Sequence, residues 1–354
     1  MSEPRSGGRM RAYLEFLAAI LWFFSARALA TRVSVSLVRE EWVPLASQML
    51  LVALLLAGFS FLGRTFDHQA DPLSDQGLPR RDGWGAELGL GLAIGWGLAL
   101  VCVLLMALVG GIAIVLMPGF SAWGWLLIEA IFFALATLAE ELLLRGYGFQ
   151  CFTRALGPIS ASLGFALLYA ILESLTPGSS HASFAVSIVF CLLLTLAYLR
   201  THALWVSWGI HFAWKASRAL LFGLTIAGVN SHSPVIQGNP MGPFWLTGGG
   251  FGLDGSWFAF VVMLIALPIM FRLTRELDFR WNAPVIVPGG RPVDIEAAAR
   301  QQHEAASSPA QPVAQPLVQI QPVAASVASQ PSQSEAPAKP AAGSSTEAES
   351  SDAE

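Results

Sequence analysis

Ala139-Glu140-Glu141-Leu142-Leu143-Leu144-Arg145-Gly146-Tyr147 is the stretch on which the reading of the chain turns. It closes an apolar run that begins near Trp123. A single ionisable residue at the centre of a bilayer costs roughly 2.5–3.5 kcal/mol, so two acids and a base there need a reason. On a helix Glu141 and Arg145 are four apart and share a face, so they can pair. Glu140 is rotated away by about 100° and is left free for other work.

Outward from this stretch the composition sets the class. The chain has 354 residues, 54% hydrophobic and 12% charged, against about 25% charged in a typical soluble domain. Several apolar runs reach the roughly 20 residues that cross a bilayer. These features exclude a soluble enzyme and predict an all-α, polytopic transmembrane bundle. There is no basic block to recruit nucleic acid. Cys102, Cys151 and Cys191 lie in or beside apolar segments without a CxxC spacing, which reads as small core side chains rather than disulfides or metal ligands.

Eight runs are predicted as spans: Tyr13 to Thr31, Pro44 to Leu62, Ala86 to Met117, Trp123 to Phe149, Ile159 to Leu175, Phe184 to Leu199, Ala203 to Phe222 and Trp257 to Phe271. The third is glycine-rich, as in helices that pack closely in lipid. The first, preceded by Arg5, Arg9 and Arg11 and containing Ala28-Leu29-Ala30, has the look of a signal peptide. Glu15, Arg27 and the further spans favour an uncleaved helix. Residues 64–85 read as a polar loop, and 223–255 as a Gly/Pro/Asn-rich loop without Lys or Arg. An even span count places both termini on one side. That side collects Arg5, Arg9, Arg11, Arg64, Arg80, Arg81, Arg145, Arg154, Arg200, Arg272, Arg275 and Arg280, and the other holds Arg32, Arg39 and Arg218. The positive-inside rule makes the arginine-rich side cytoplasmic.

The expected organisation is a basic arm at 1–11, N-terminal transmembrane helices at 12–117, a core at 118–272 and a cytoplasmic, largely disordered tail at 273–354. Ala, Pro, Gln and Ser dominate that tail, which cannot bury enough apolar surface to offset its chain entropy. Its Gln/Pro/Val run at 311–323 reads as linker, with a tail-binding partner as the alternative.

Two further polar groups fall inside spans. Glu173 lies one turn after Tyr169, and His211 and Lys215 are four apart on one face. His202 and Arg200 are expected at the interface, and His68, His181 and His232 in loops. One reading gathers Glu140, Glu141, Arg145, Glu173, His211 and Lys215 around a polar cavity. There a carboxylate takes a proton from water, and His or Lys stabilises an oxyanion. The other makes Glu173–Lys215 and Glu141–Arg145 ion pairs that fix helix packing. Counting along the spans puts Glu140 toward the cytoplasmic end, Glu173 toward the outer end and His211 near the middle.

At these residues the chain resembles the CPBP intramembrane proteases, the type II CAAX prenyl endopeptidase group. Glu140-Glu141-x-x-x-Arg145-Gly146 is similar to the family's first motif. Tyr169-Ala170-Ile171-Leu172-Glu173 stands at the Phe-x-x-x-His motif, and His211-Phe212-Ala213-Trp214-Lys215 at His-x-x-x-Asn. Glu173 thus replaces a His and Lys215 an Asn. The resemblance covers roughly 120–222 well. It implies a peptidase cutting a membrane-tethered peptide or protein, with Glu140 as general base, Glu141 and Arg145 in support and His211 at the oxyanion. It also implies a bacterial inner-membrane location in contact with lipid. Glu140, Glu173 and His211 are suitable ligand types for a divalent metal such as zinc; a metal-free site is the alternative. The two replacements leave a second reading open, a catalytically impaired scaffold with Glu173 and Lys215 paired. A transporter is the third class, for which repeated halves with broken helices would speak; none is evident.

Overall fold

The computed structural model describes residues 6–68, 71–116, 123–227 and 236–281. In chain order the elements are α1 Ser6–Leu37, α2 Val43–Asp67, α3 Pro72–Asp75, α4 Trp84–Leu108, β1 Ile112–Leu116, α5 Trp123–Arg145, α6 Tyr147–Leu156, α7 Pro158–Ser174, α8 His181–Thr201, α9 Leu204–Ala216, β2 Ile236–Pro240, α10 Phe244–Thr247, α11 Trp257–Leu273 and α12 Arg275–Trp281. This is an all-α bundle, and each predicted span contains at least one of its helices. Four helical stretches are long and apolar enough to cross a membrane: Gly8–Leu37, Glu40–Asp67, Trp84–Leu108 and His181–Thr201. Pro158–Ser174 and Trp257–Leu273 are shorter apolar helices.

α8 is the central post. Its most apolar window is 67% buried, against 28% for α1 and for α2. A reciprocal cap starts it: Ser183 N donates to Ser180 Oγ at 3.2 Å, and Ser180 N to Ser183 Oγ at 2.7 Å. α9 is held against α4 by missing side chains. A Cβ on Gly91 would come within 2.3 Å of the Val206 carbonyl oxygen, and one on Gly95 within 2.3 Å of that of Ile210. Small residues at these positions let two backbones touch, as the glycine-rich third run predicted.

The structure corrects several boundaries. The third run does not continue to Met117. Gly110, at φ +71°, ends α4 in a conformation that only glycine adopts cheaply. The β-branched stretch Ile112–Leu116 then pairs antiparallel with Ile236–Pro240, Ile112 opposite Pro240 and Leu116 opposite Ile236. The expected loop 223–255 therefore holds a strand, a short helix and two 3-10 turns, Gly249–Phe251 and Leu253–Gly255. The fourth run is two helices, because the chain breaks at Gly146. The seventh run reaches Leu221 through a π-helical turn, Ser217–Leu221.

The basic arm is helical from Ser6, and α12 extends the helical part past the expected boundary at 273. The remainder of the tail, including 311–323, lies outside the described residues, as does His232. Arg200 is buried within the protein: its Nε donates to Thr274 Oγ1 at 2.8 Å and its guanidinium lies 4.1 Å from the centre of the Phe271 ring. His181 opens α8, and His68 and His202 cap α2 and α8 in left-handed conformations. Arg154 on α6 ties α1 to α2, meeting Glu15 at 3.0 Å and Asp67 at 2.5 Å.

Candidate functional site

Helix geometry on α5 sends its two adjacent carboxylates different ways. Glu141 is fully buried, while Glu140 keeps 33% of its side chain exposed. The predicted Glu141–Arg145 pair forms, with Arg145 Nη1 2.8 Å from Glu141 Oε1 and both side chains fully buried. Arg145 Nη2 also donates to the Cys191 carbonyl at 3.0 Å, which fastens α5 to α8. Cys191, like Cys102 and Cys151, is a buried free thiol.

α9 brings His211 between the two carboxylates. Its Nδ1 is 2.8 Å from Glu141 Oε1. An ionised carboxylate only accepts, so the Nδ1 that faces Glu141 carries a proton. Nε2 lies 3.2 Å from Glu140 Oε2, near enough for electrostatic contact but not aligned as a hydrogen bond. Phe190 packs edge-on against the imidazole with centroids 5.3 Å apart. One turn further on, Lys215 Nζ donates to both oxygens of Glu140, at 2.8 and 2.9 Å. The result is an alternating chain, Arg145–Glu141–His211–Glu140–Lys215, in which the imidazole stands between two carboxylates, each also met by a cation.

Lys215 therefore pairs with Glu140, not with Glu173. Among the described residues Glu173 has no ion-pair partner within 4.0 Å. It lies with Tyr169 on α7, across a cavity of about 590 Å³ that Glu140 also borders. The other walls are apolar, built from α1 (Phe16, Ile20, Phe23), Leu143 and Leu144 of α5, and Leu172 of α7, with Arg27 at one side.

The metal expectation meets a conflict of charge. Both oxygens of Glu140 are engaged by an ammonium that stands where a cation would have to bind. The donor atoms that do come within 4.8 Å of one another among the described residues are those of Glu15, Asp67 and Cys151. Arg154 reaches all three, at 3.0 Å, 2.5 Å and 3.0 Å, so that group too is already served by a cation. In both sets the carboxylates already face a cation of the chain itself.

Sequence reasoning missed a further layer. Asp254, in the 3-10 turn before α11, accepts from Trp214 Nε1 at 3.1 Å and lies 2.9 Å from Arg218 Nη1. The Arg218 guanidinium stacks 4.2 Å from the centre of the Trp214 ring. This closes the loop between β2 and α11 onto α9 just beyond Lys215. A signal was present: Asp254 is the one charged residue between 223 and 255, and Arg218 sits on the arginine-poor side.

Residues 115–217 match a family model described as Type II CAAX prenyl endopeptidase Rce1-like. No curated protein and no solved structure matches the chain. The matched segment carries all six charged or titratable residues singled out from the sequence, from Glu140 to Lys215. The segment that carries these residues is thus similar to the type II CAAX prenyl endopeptidase Rce1-like family.

Proposed function

We propose that this chain is an intramembrane endopeptidase of the CAAX-processing type. It hydrolyses a peptide bond of a membrane-tethered peptide or protein with a carboxylate-activated water, in a bacterial inner membrane with both termini cytoplasmic. One observation carries the reading. The charged chain through His211 is not sealed: it ends at Glu140 on the wall of an apolar cavity of about 590 Å³, large enough for a lipid-like chain with its attached peptide. A network that only fixed helix packing would have no reason to open there. Lys215 pairs with Glu140, and Glu173 has no ion-pair partner among the described residues, which supports the same reading.

A second reading keeps one observation of its own. Lys215 holds both oxygens of Glu140, so the first carboxylate of the family motif is already neutralised. The discriminating experiment uses purified protein in phospholipid vesicles and a fluorogenic peptide, with and without a prenyl group. The natural chain is expected to cleave, and Glu140→Ala to lose about 10²–10³-fold in rate, as when a preorganised electrostatic partner is removed. Cleavage seen only in the double variant Glu173→His, Lys215→Asn would instead make the natural protein a scaffold.

A further inference from the structure

We infer that Arg27 on α1 is a specificity-determining residue that takes a carboxylate of the substrate peptide, with the lipid-like chain lying toward Phe16. The inference rests on the endopeptidase reading. It concerns a residue outside the segment 115–217 that matches the family model.

The large cavity has two unlike ends. One is closed by aromatic rings: centre to centre, Phe16 lies 4.9 Å from Phe152 and 5.9 Å from Phe165, and Phe149 lies 5.3 Å from Phe165. From these rings α1 lines the cavity with Ile20, Phe23 and Arg27, and α7 with Leu168, Leu172 and Glu173, so the two helices run the same way. At the helical rise of about 1.5 Å per residue, Arg27 stands roughly 16 Å along α1 from Phe16, and Glu173 roughly 12 Å along α7 from Phe165. α5 runs back toward the rings: Phe149 follows it closely in sequence, and Glu140 lies one turn before Leu144. Three helices therefore each bring a charged side chain to the end away from the rings, Arg27, Glu140 and Glu173.

Of these Arg27 is the cation. Glu140 is already met by Lys215. Arg27 is exposed and has no ion-pair partner within 4.0 Å among the described residues. It lies inside the apolar stretch Gly8–Leu37, where an ionisable side chain is costly and marks a functional role by default. Its guanidinium is a planar fork that matches a carboxylate through two hydrogen bonds at once. A peptide whose lipid chain fills the ring end has its polar part at the charged end, within reach of this fork. Such a peptide carries a carboxylate either at its C-terminus or on an Asp or Glu side chain.

The test is steady-state cleavage by full-length protein in phosphatidylcholine vesicles. Three prenylated fluorogenic peptides differ only in charge: a free C-terminal acid, the C-terminal amide, and the amide with a Glu side chain added. Arg27→Gln is expected to raise KM about 10–100-fold for a carboxylate-bearing peptide, with kcat within about twofold, and to leave the neutral amide unchanged. Sensitivity of the free acid assigns the C-terminus, and sensitivity of the Glu-bearing amide assigns a side chain. Arg27→Glu is expected to reverse the preference, toward an amide ending in a primary amine, which a merely misfolded variant would not do. Equal change on charged and neutral peptides overturns the assignment and makes Arg27 a structural residue of α1. No change on any peptide overturns it too and leaves Arg27 to lipid phosphate. Cleavage persists in both cases, so the endopeptidase reading stands. No cleavage of any peptide by the natural chain overturns that reading, and this inference with it.

Discussion

Glu140 and Glu141 are neighbours in sequence, yet they belong to different regions of the molecule. Glu141 is sealed between Arg145 and His211 with no exposed surface. Glu140 has Lys215 on one side and an open apolar cavity on the other. The first region is closed, with Arg145 and the His211 ring both on Glu141. The second is open and faces what enters the cavity. A single helical step of about 100° separates the sealed carboxylate from the open one.

The largest effect is expected on the closed side. Arg145→Met removes one partner of a fully buried pair and leaves Glu141 uncompensated, at an expected cost of about 3–5 kcal/mol. Thermal unfolding in detergent reads this out; an unchanged melting temperature would show that the closed region is not structural. On the open side, Glu140→Gln is expected to leave the melting temperature close to that of the natural chain, because the side chain is partly exposed and isosteric. Its effect should fall on turnover, by about 10²–10³-fold. If Glu140→Gln instead unfolded the protein as Arg145→Met does, the two regions would be one. The smallest expected effect sharpens the comparison from outside. Gly95→Val pushes a side chain against the Ile210 carbonyl oxygen, 2.3 Å from where its Cβ would sit. Overpacking of this kind costs about 1–3 kcal/mol. Because α9 carries both His211 and Lys215, turnover should drop along with stability; a Gly95→Ala variant with less bulk should lie between.

Much of this was legible before any coordinates. Apolar runs of bilayer length placed every long helix, and the i, i+4 rule placed the Glu141–Arg145 pair. The glycine-rich run foretold the close contact of α4 with α9. What could not be read was the relative height of α5, α7 and α9. Opposite charges at 173 and 215 suggested a pair, but pairing depends on how far each helix is shifted along the bundle, and no local pattern encodes that. The shift puts Lys215 beside Glu140 instead. The β1–β2 ribbon was missed for a related reason: Ile112–Leu116 is as apolar as a helix end, and only its long-range partner makes it a strand. Asp254 was hidden in a glycine-rich loop whose fold depends on the helices beneath it.

The glycine contact has a consequence for how a substrate can arrive. With Gly91 and Gly95 pressed on the α9 backbone, His211 and Lys215 ride on a rigid slab that cannot part. The cavity's opposite wall is α1, only 28% buried along its most apolar window and contributing Phe16, Ile20, Phe23 and Arg27. For the proposed endopeptidase the expected approach is sideways, out of the lipid, with a two-dimensional search for substrate. Velocity should follow the mole fraction of peptide in the bilayer and fall when inert lipid is added at constant bulk concentration. An aqueous route would leave it unchanged.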